Sequence, residues 1–196
     1  MSKLIGLTGG IATGKSAVSS YLKTLGIPII DADLITHQVE KKGQAGYEAI
    51  IQTFGHDILA DDGEIDRRAL GQLVFSSQPA LKQLVRTIDP FIRDQISQQF
   101  KKYETAHLVV LDAPTLFENG YAHIVDELVV VYCNSATQLR RLMNRNHLTY
   151  SAANQRINSQ WPLQTKCNLA DTIIYNSGTI MQTRAQIDKW LATETN

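Results

Sequence analysis

Cysteine is scarce: the 196 residues hold only Cys133 and Cys167, with no CxxC spacing. That excludes a disulfide framework and a thiolate zinc site, and leaves two reduced thiols in a cytoplasmic protein as the plain reading. Net charge is missing too. Nineteen Lys and Arg balance nineteen Asp and Glu, so bulk electrostatics recruits neither nucleic acid nor a membrane surface. Any anion must be met by a local site. No long hydrophobic run occurs. The run after Met1-Ser2-Lys3 breaks at Gly9-Gly10, too soon for a signal peptide or a span. The five histidines, His37, His56, His107, His123 and His147, show no metal-ligand spacing, and there is no repeat or low-complexity tract. The apolar share of 43% and charged share of 19% are those of an ordinary globular domain, long enough for one core with an insertion.

Short apolar runs at Leu4 to Thr8, Ile27 to Ile30, Leu108 to Leu111, Leu128 to Val131 and Thr172 to Tyr175 have the length and character of buried parallel strands. Between them lie helical periodicities. Val18, Leu22 and Leu25 share a face that Gly26 closes, and Ile180, Arg184, Ile187 and Leu191 line a final helix. From about residue 35 to 105 the pattern is almost wholly helical. Asp66 is the expected cap of one helix there, and Asp89-Pro90 the expected N-cap and first turn of another. Ser135 and Gln138 have capping-box spacing. Strands alternating with helices predict an α/β fold, a parallel sheet of about five strands covered on both faces. The helical insertion and the polar, arginine-bearing stretch that ends near Lys166 would sit above the carboxyl ends of the strands, where such sheets bind ligands.

Gly9-Gly10-Ile11-Ala12-Thr13-Gly14-Lys15-Ser16 satisfies the phosphate-binding pattern GxxxxGK[ST], and it stands between a strand and an amphipathic helix as that pattern requires. Glycines let the backbone turn its N–H groups inward onto an anion, next to a helix N-terminus. Lys15 reaches the β- and γ-phosphates, and the Ser16 hydroxyl can ligate Mg²⁺. A bare glycine-rich turn is the bland alternative; the strand and helix around it argue against that.

Phosphoryl transfer also needs carboxylates and cations. Asp31 and Asp33 follow the second strand and could take a proton from an attacking hydroxyl, hold a metal-bound water, or merely cap a loop. Asp112 ends the third strand, the position of a Mg²⁺-holding carboxylate or of a simple turn residue. Arg140, Arg141, Arg145 and Arg156 could form a mobile lid that neutralises the transferring group, or a solvated helix face. Arg67 and Arg68 in the helical stretch could hold a second anionic ligand.

Several pieces in fixed order now carry a resemblance. They are Ile5-Gly6-Leu7-Thr8-Gly9-Gly10, Gly14-Lys15-Ser16, Asp31-Ala32-Asp33, Asp66-Arg67-Arg68-Ala69-Leu70, Leu116-Phe117-Glu118, Gln160-Trp161-Pro162 and Asn176-Ser177-Gly178. From Ile5 to Gly178 the chain resembles the dephospho-coenzyme A kinases. The resemblance implies a P-loop kinase fold with a nucleotide-binding core (1–34, 106–136 and 167–196), a helical coenzyme-binding insertion (35–105) and a lid (137–166). It implies that ATP, with Mg²⁺, phosphorylates the ribose 3′-hydroxyl of dephospho-coenzyme A, the last step of coenzyme A biosynthesis. Nucleotide contacts would come from Gly10, Ile11, Ala12, Thr13, Gly14, Lys15, Ser16 and Ala17, with Asn176 and Gly178. Asp31, Asp33, Arg67, Arg68, Leu116, Phe117 and Glu118 would meet the acceptor. Asp33 would be the base, Lys15, Arg141 and Arg145 the catalytic cations, and Ser16 and Asp112 the metal ligands. Ala12, Thr13 and Ala17 depart from the family's usual Gly, Ser and Thr, Thr115 from leucine, and Asp89 from the usual His before proline.

A kinase for another small-molecule hydroxyl or a nucleoside monophosphate would share the core but need a different insertion. A P-loop GTPase would carry Asn-Lys-x-Asp, which is missing from the sequence. A non-catalytic nucleotide-binding module would bind ATP without turning over an acceptor.

Overall fold

The computed structural model describes residues 2–194; Met1, Thr195 and Asn196 lie outside the description, as does the Phe75 side chain. Five strands form one parallel sheet: β1 (Lys3–Gly9), β2 (Ile29–Asp31), β3 (Leu108–Asp112), β4 (Glu127–Tyr132) and β5 (Thr172–Tyr175), in the order β2-β3-β1-β4-β5. All five expected strands are present. β1 is central, with Leu7 opposite Asp112 on one side and Gly9 opposite Val131 on the other. Chain direction across the sheet reverses around β1, so the crevice beyond its carboxyl end is the ligand position for this topology.

The chain divides into two compact units, Met1–Ile30 with Tyr103–Asn196, and Asp31–Lys102. In the first, α1 (Lys15–Thr24) and α9 (Ile180–Glu194) cover one sheet face, and Val18, Leu22, Ile187 and Trp190 pack with Ile5, Leu7, Val110, Val129 and Ile174. On the other face Phe117, Val130 and Cys167 are buried with Leu163 and Ile173 against them. That side carries α8 (Leu163–Asn168), which follows α6 (Ser135–Asn146) and α7 (Tyr150–Asn158) in the stretch between β4 and β5. Burial raises the pKa of both thiols, and both cysteines are free. Among the described residues no helix is long and apolar enough to cross a membrane.

The second unit is helical: α2 (Ala32–Val39), α3 (Ala45–Phe54), α4 (Arg67–Phe75) and α5 (Gln78–Lys101). Asp66 caps α4 as expected, accepting from the Arg68 and Ala69 N–H groups. The expected helix start at Asp89-Pro90 is overturned. Both residues lie inside the single 24-residue helix α5, whose cap is Ser77. Pro90 removes one backbone donor there. The buried stripe Ile88, Ile92 and Ile96 runs straight through the proline, so packing outweighs the local break. Asp89 instead pairs with Arg93 one turn on, at 2.6 Å.

At the amino end of the sheet Glu127 is buried among donors. Lys3 Nζ lies 2.6 Å away, Trp190 Nε1 2.9 Å and Thr172 Oγ1 3.0 Å. Burial alone would push the Glu127 carboxyl up; the hydrogen bonds from Lys3, Trp190 and Thr172 outweigh it and hold it below the usual carboxylate range. Lys3, bonded by Glu127 and Glu194, is pushed up to about 12. A depressed carboxylate stabilises the fold above its unfolded pKa, about 4.3, and that stability fades as pH falls through the folded value. Glu127→Gln is expected to lose about 2 kcal/mol at pH 7, the scale of a charged hydrogen bond, or about 4–8 °C in Tm. The gap to wild type should close below about pH 4, as read by thermal melts across pH.

Among the described residues Ala12 is one of two non-glycine residues with positive φ, at 61°. A left-handed alanine costs roughly 1–2 kcal/mol, which glycine's entropy offsets by about half. Ala12→Gly is therefore expected to raise Tm by about 1–3 °C; calorimetry showing a fall would refute the strain.

Candidate active site

Gly14 begins α1 in a left-handed conformation, φ 97°. Only glycine fits there: a Cβ would lie 1.9 Å from Asn176 Nδ2. Among the described residues no side chain caps the helix, and its first turn carries no acid. The N-terminal N–H groups of α1 thus form a cluster of orphan donors with the positive end of the helix dipole behind them. An anion is the natural partner. Lys15 projects from the first position of α1 and pairs through Nζ with Asp112 Oδ1 at the end of β3. Ser16, the next residue, is exposed.

The loop before α1 is braced through its backbone. Ile11 N–H donates to Gln160 Oε1 at 2.7 Å, and Ile11 O accepts from Gln138 Nε2 at 2.9 Å. Thr13 O accepts from Asn176 Nδ2 at 2.8 Å and from Arg141 Nη1 at 3.3 Å. Asn176 is itself fixed by the Thr183 hydroxyl, which donates to its Oδ1 at 2.8 Å. Thr13 is fully buried, its hydroxyl donating to Gly10 O at 2.9 Å. The capping-box expectation is corrected here: Asn134 caps α6, accepting from Thr137 N–H. Gln138 is thereby free of the helix end and reaches the loop. A pocket of about 390 Å³ opens against Gly10, between Gln138, Gln160 and Trp161.

Other expected site residues take varied positions. Leu116 is wholly buried and contacts the backbone space at Gly6, where a Cβ would approach its Cδ1 to 2.7 Å. Phe117 stacks on Trp161, centroids 6.0 Å apart. Glu118 accepts the Trp161 N–H at 2.9 Å and pairs with Lys166 at 2.8 Å. Ala17 and Gly178 are exposed. Arg145, also exposed, donates from Nε to Asn146, so of the two arginines expected at a lid it is Arg141 that touches the loop. In the helical unit Asp31 caps α2 by accepting from Leu34 N–H, and Asp33 is exposed in the first turn of that helix. Arg67 pairs with Glu40 at 2.9 Å, and Arg68 is exposed. Burial raises the Glu40 carboxyl's pKa, while Arg67 and His37 pull it back.

Gln138, Gln160 and Lys166 bond to the loop, a contact that the sequence did not suggest for any of them. Neutral amides leave no charge pattern; only the recurrence of Gln160-Trp161-Pro162 as a unit drew attention to one of them.

The family model described as dephospho-CoA kinase matches residues 3–182. A dephospho-CoA kinase of Enterococcus faecalis is 45% identical over 192 residues, covering 97% of this chain and 96% of its own. The crystal structure of a Thermus thermophilus protein superposes with a TM-score of 0.86 at 29% identity, covering 98% of this chain and 97% of its own. A dephospho-CoA kinase structure from Campylobacter jejuni gives 0.73 at 30% identity, covering 98% and 96%. With a phosphate-binding loop between β1 and α1 and a family match across nearly its whole length, the chain belongs to the dephospho-coenzyme A kinase family.

Proposed function

We propose that the chain transfers the γ-phosphoryl group of ATP to the ribose 3′-hydroxyl of dephospho-coenzyme A, giving coenzyme A and ADP in the cytoplasm. The observation that carries the reading is the uncapped start of α1 with Lys15 facing Asp112, in a chain of this family. Incubation with ATP, Mg²⁺ and dephospho-coenzyme A should yield a product one phosphoryl group heavier by mass spectrometry. Phosphorylation of a nucleoside monophosphate instead would favour the other small-molecule kinase reading.

The chain's own groups divide the work. Backbone N–H groups of the loop and of α1 hold the β- and γ-phosphates. Lys15 leaves Asp112 for the phosphates and follows the charge that develops on the transferring group. Asp33 accepts the proton of the 3′-hydroxyl, with Asp31 holding the start of α2. The helical unit receives the coenzyme, and Arg67 and Arg68 meet its anionic part. Arg141, already at Thr13 O, turns toward the γ-phosphate as residues 137–166 close.

Ser16 and Asp112 would hold Mg²⁺: they are one hydroxyl and one carboxylate, the hard oxygen donors that suit this ion. Among the described residues no cluster of three or more His, Cys, Asp or Glu could hold a metal by itself. When bound, it supplies positive charge to the phosphate oxygens.

Asp33→Asn is expected to keep dephospho-coenzyme A binding and lower kcat by about 10²–10⁴-fold. Full kcat in this variant, with a deep loss in Asp112→Asn, would move the base to Asp112. Arg141→Ala should lower kcat by about 10²-fold and by more than Arg145→Ala does. Steady-state kinetics giving the reverse order would assign the transferring group to Arg145.

A further inference from the structure

Lys166, in α8, is 0% exposed. A buried ammonium is tolerated only when its donors are used, and these are spent in a particular way. Nζ donates to Pro114 O at 3.1 Å and to Gly9 O at 3.4 Å, and pairs with Glu118 Oε1 at 2.8 Å and Oε2 at 3.1 Å. Gly9 opens the phosphate-binding loop. Pro114 stands two residues past Asp112, the partner of Lys15. Glu118 Oε1 also takes the Trp161 N–H at 2.9 Å, and the adjacent Gln160 takes the Ile11 N–H at 2.7 Å.

These bonds close a ring: Lys166, Gly9, along the loop to Ile11, across to Gln160 and Trp161, through Glu118 and back to Lys166. The segment after β3 is tied into the same ammonium. A lysine serving only to neutralise Glu118 would need one carboxylate contact. This one also grips a carbonyl on each of the two walls of the phosphate site.

We propose that Lys166 is a positioning residue for phosphoryl transfer: it sets the spacing between the start of the loop and the end of β3, and so between Lys15 and Asp112, without touching either substrate. The proposal rests on the kinase reading above for its kinetic arm only.

Three variants test it: Lys166→Met, Glu118→Gln and the two combined. Lys166→Met alone leaves the half-buried Glu118 carboxylate without its counter-ion, and a loss of folding there would be uninformative. The double variant carries no unpaired charge and keeps an amide oxygen for the Trp161 N–H, so its melting temperature should approach that of Glu118→Gln. Relative to Glu118→Gln, the double variant should show kcat lower by about 10²-fold, the scale of a site displaced by about 1 Å, with KM for dephospho-coenzyme A within about 3-fold. Amides of residues 9–13 should exchange at least about 10-fold faster, reflecting local opening. Equal kcat, or unchanged exchange at residues 9–13, would overturn the proposal and leave Lys166 as the counter-ion of Glu118. If wild type fails to phosphorylate dephospho-coenzyme A, the function proposed above falls, and the exchange comparison alone decides the role of Lys166.

Discussion

The start of α1 carries N–H groups that the protein leaves without a side-chain acceptor. Most helices settle this deficit with Ser, Thr, Asp or Asn at the cap. Here the cap is Gly14, held in a conformation only glycine adopts easily and pressed so close to Asn176 that no side chain fits. An uncapped helix end costs stability until an anion fills it, and the surrounding design keeps that end open.

Keeping it open falls to amides and a buried cation rather than to apolar packing. Gln138 and Gln160 take the two polar groups of Ile11, and Asn176 and Arg141 share the carbonyl of Thr13. Lys166 takes the carbonyl of Gly9. With one exception, the Ile11 N–H, the bonds go to carbonyls, which point away from an anion; the N–H groups at the start of α1 stay available. A loop satisfied on its outer side need not rearrange much when the nucleotide arrives, which is the basis of preorganised electrostatic catalysis.

The strands were legible because each is a short, continuous apolar run, and a parallel sheet buried on both faces permits little else. The loop was legible because its chemistry is confined to eight consecutive residues. Asp89-Pro90 misled because a local cap signal was weighed without the stripe Ile88, Ile92 and Ile96, which holds α5 together across the proline. Ser135 and Gln138 misled for a related reason: capping-box spacing was present, but Asn134 one residue earlier won the cap. The braces could not be read at all. Gln160 lies 149 residues from the N–H it accepts, and Lys166 lies 157 from the carbonyl it grips. Ala12 carried a readable hint, since it replaces the glycine usual in the family, yet its positive φ is a property of the folded loop.

The order in which the sheet is assembled has a consequence during synthesis. β1 is made first but pairs only with β3 and β4, so Ile5 must wait for Val110 and Glu127. At about 5–20 residues per second, the ribosome presents this apolar strand unpaired for several seconds. The helical unit Asp31–Lys102, with its short-range contacts, is complete in the meantime. Asn176 and Thr183, which fasten Thr13, emerge later still. The nucleotide site is therefore begun at β1 and its loop and finished by residues made some 160 positions later, and a nascent chain stalled before β5 would carry the whole phosphate-binding motif without two of the residues that fasten it.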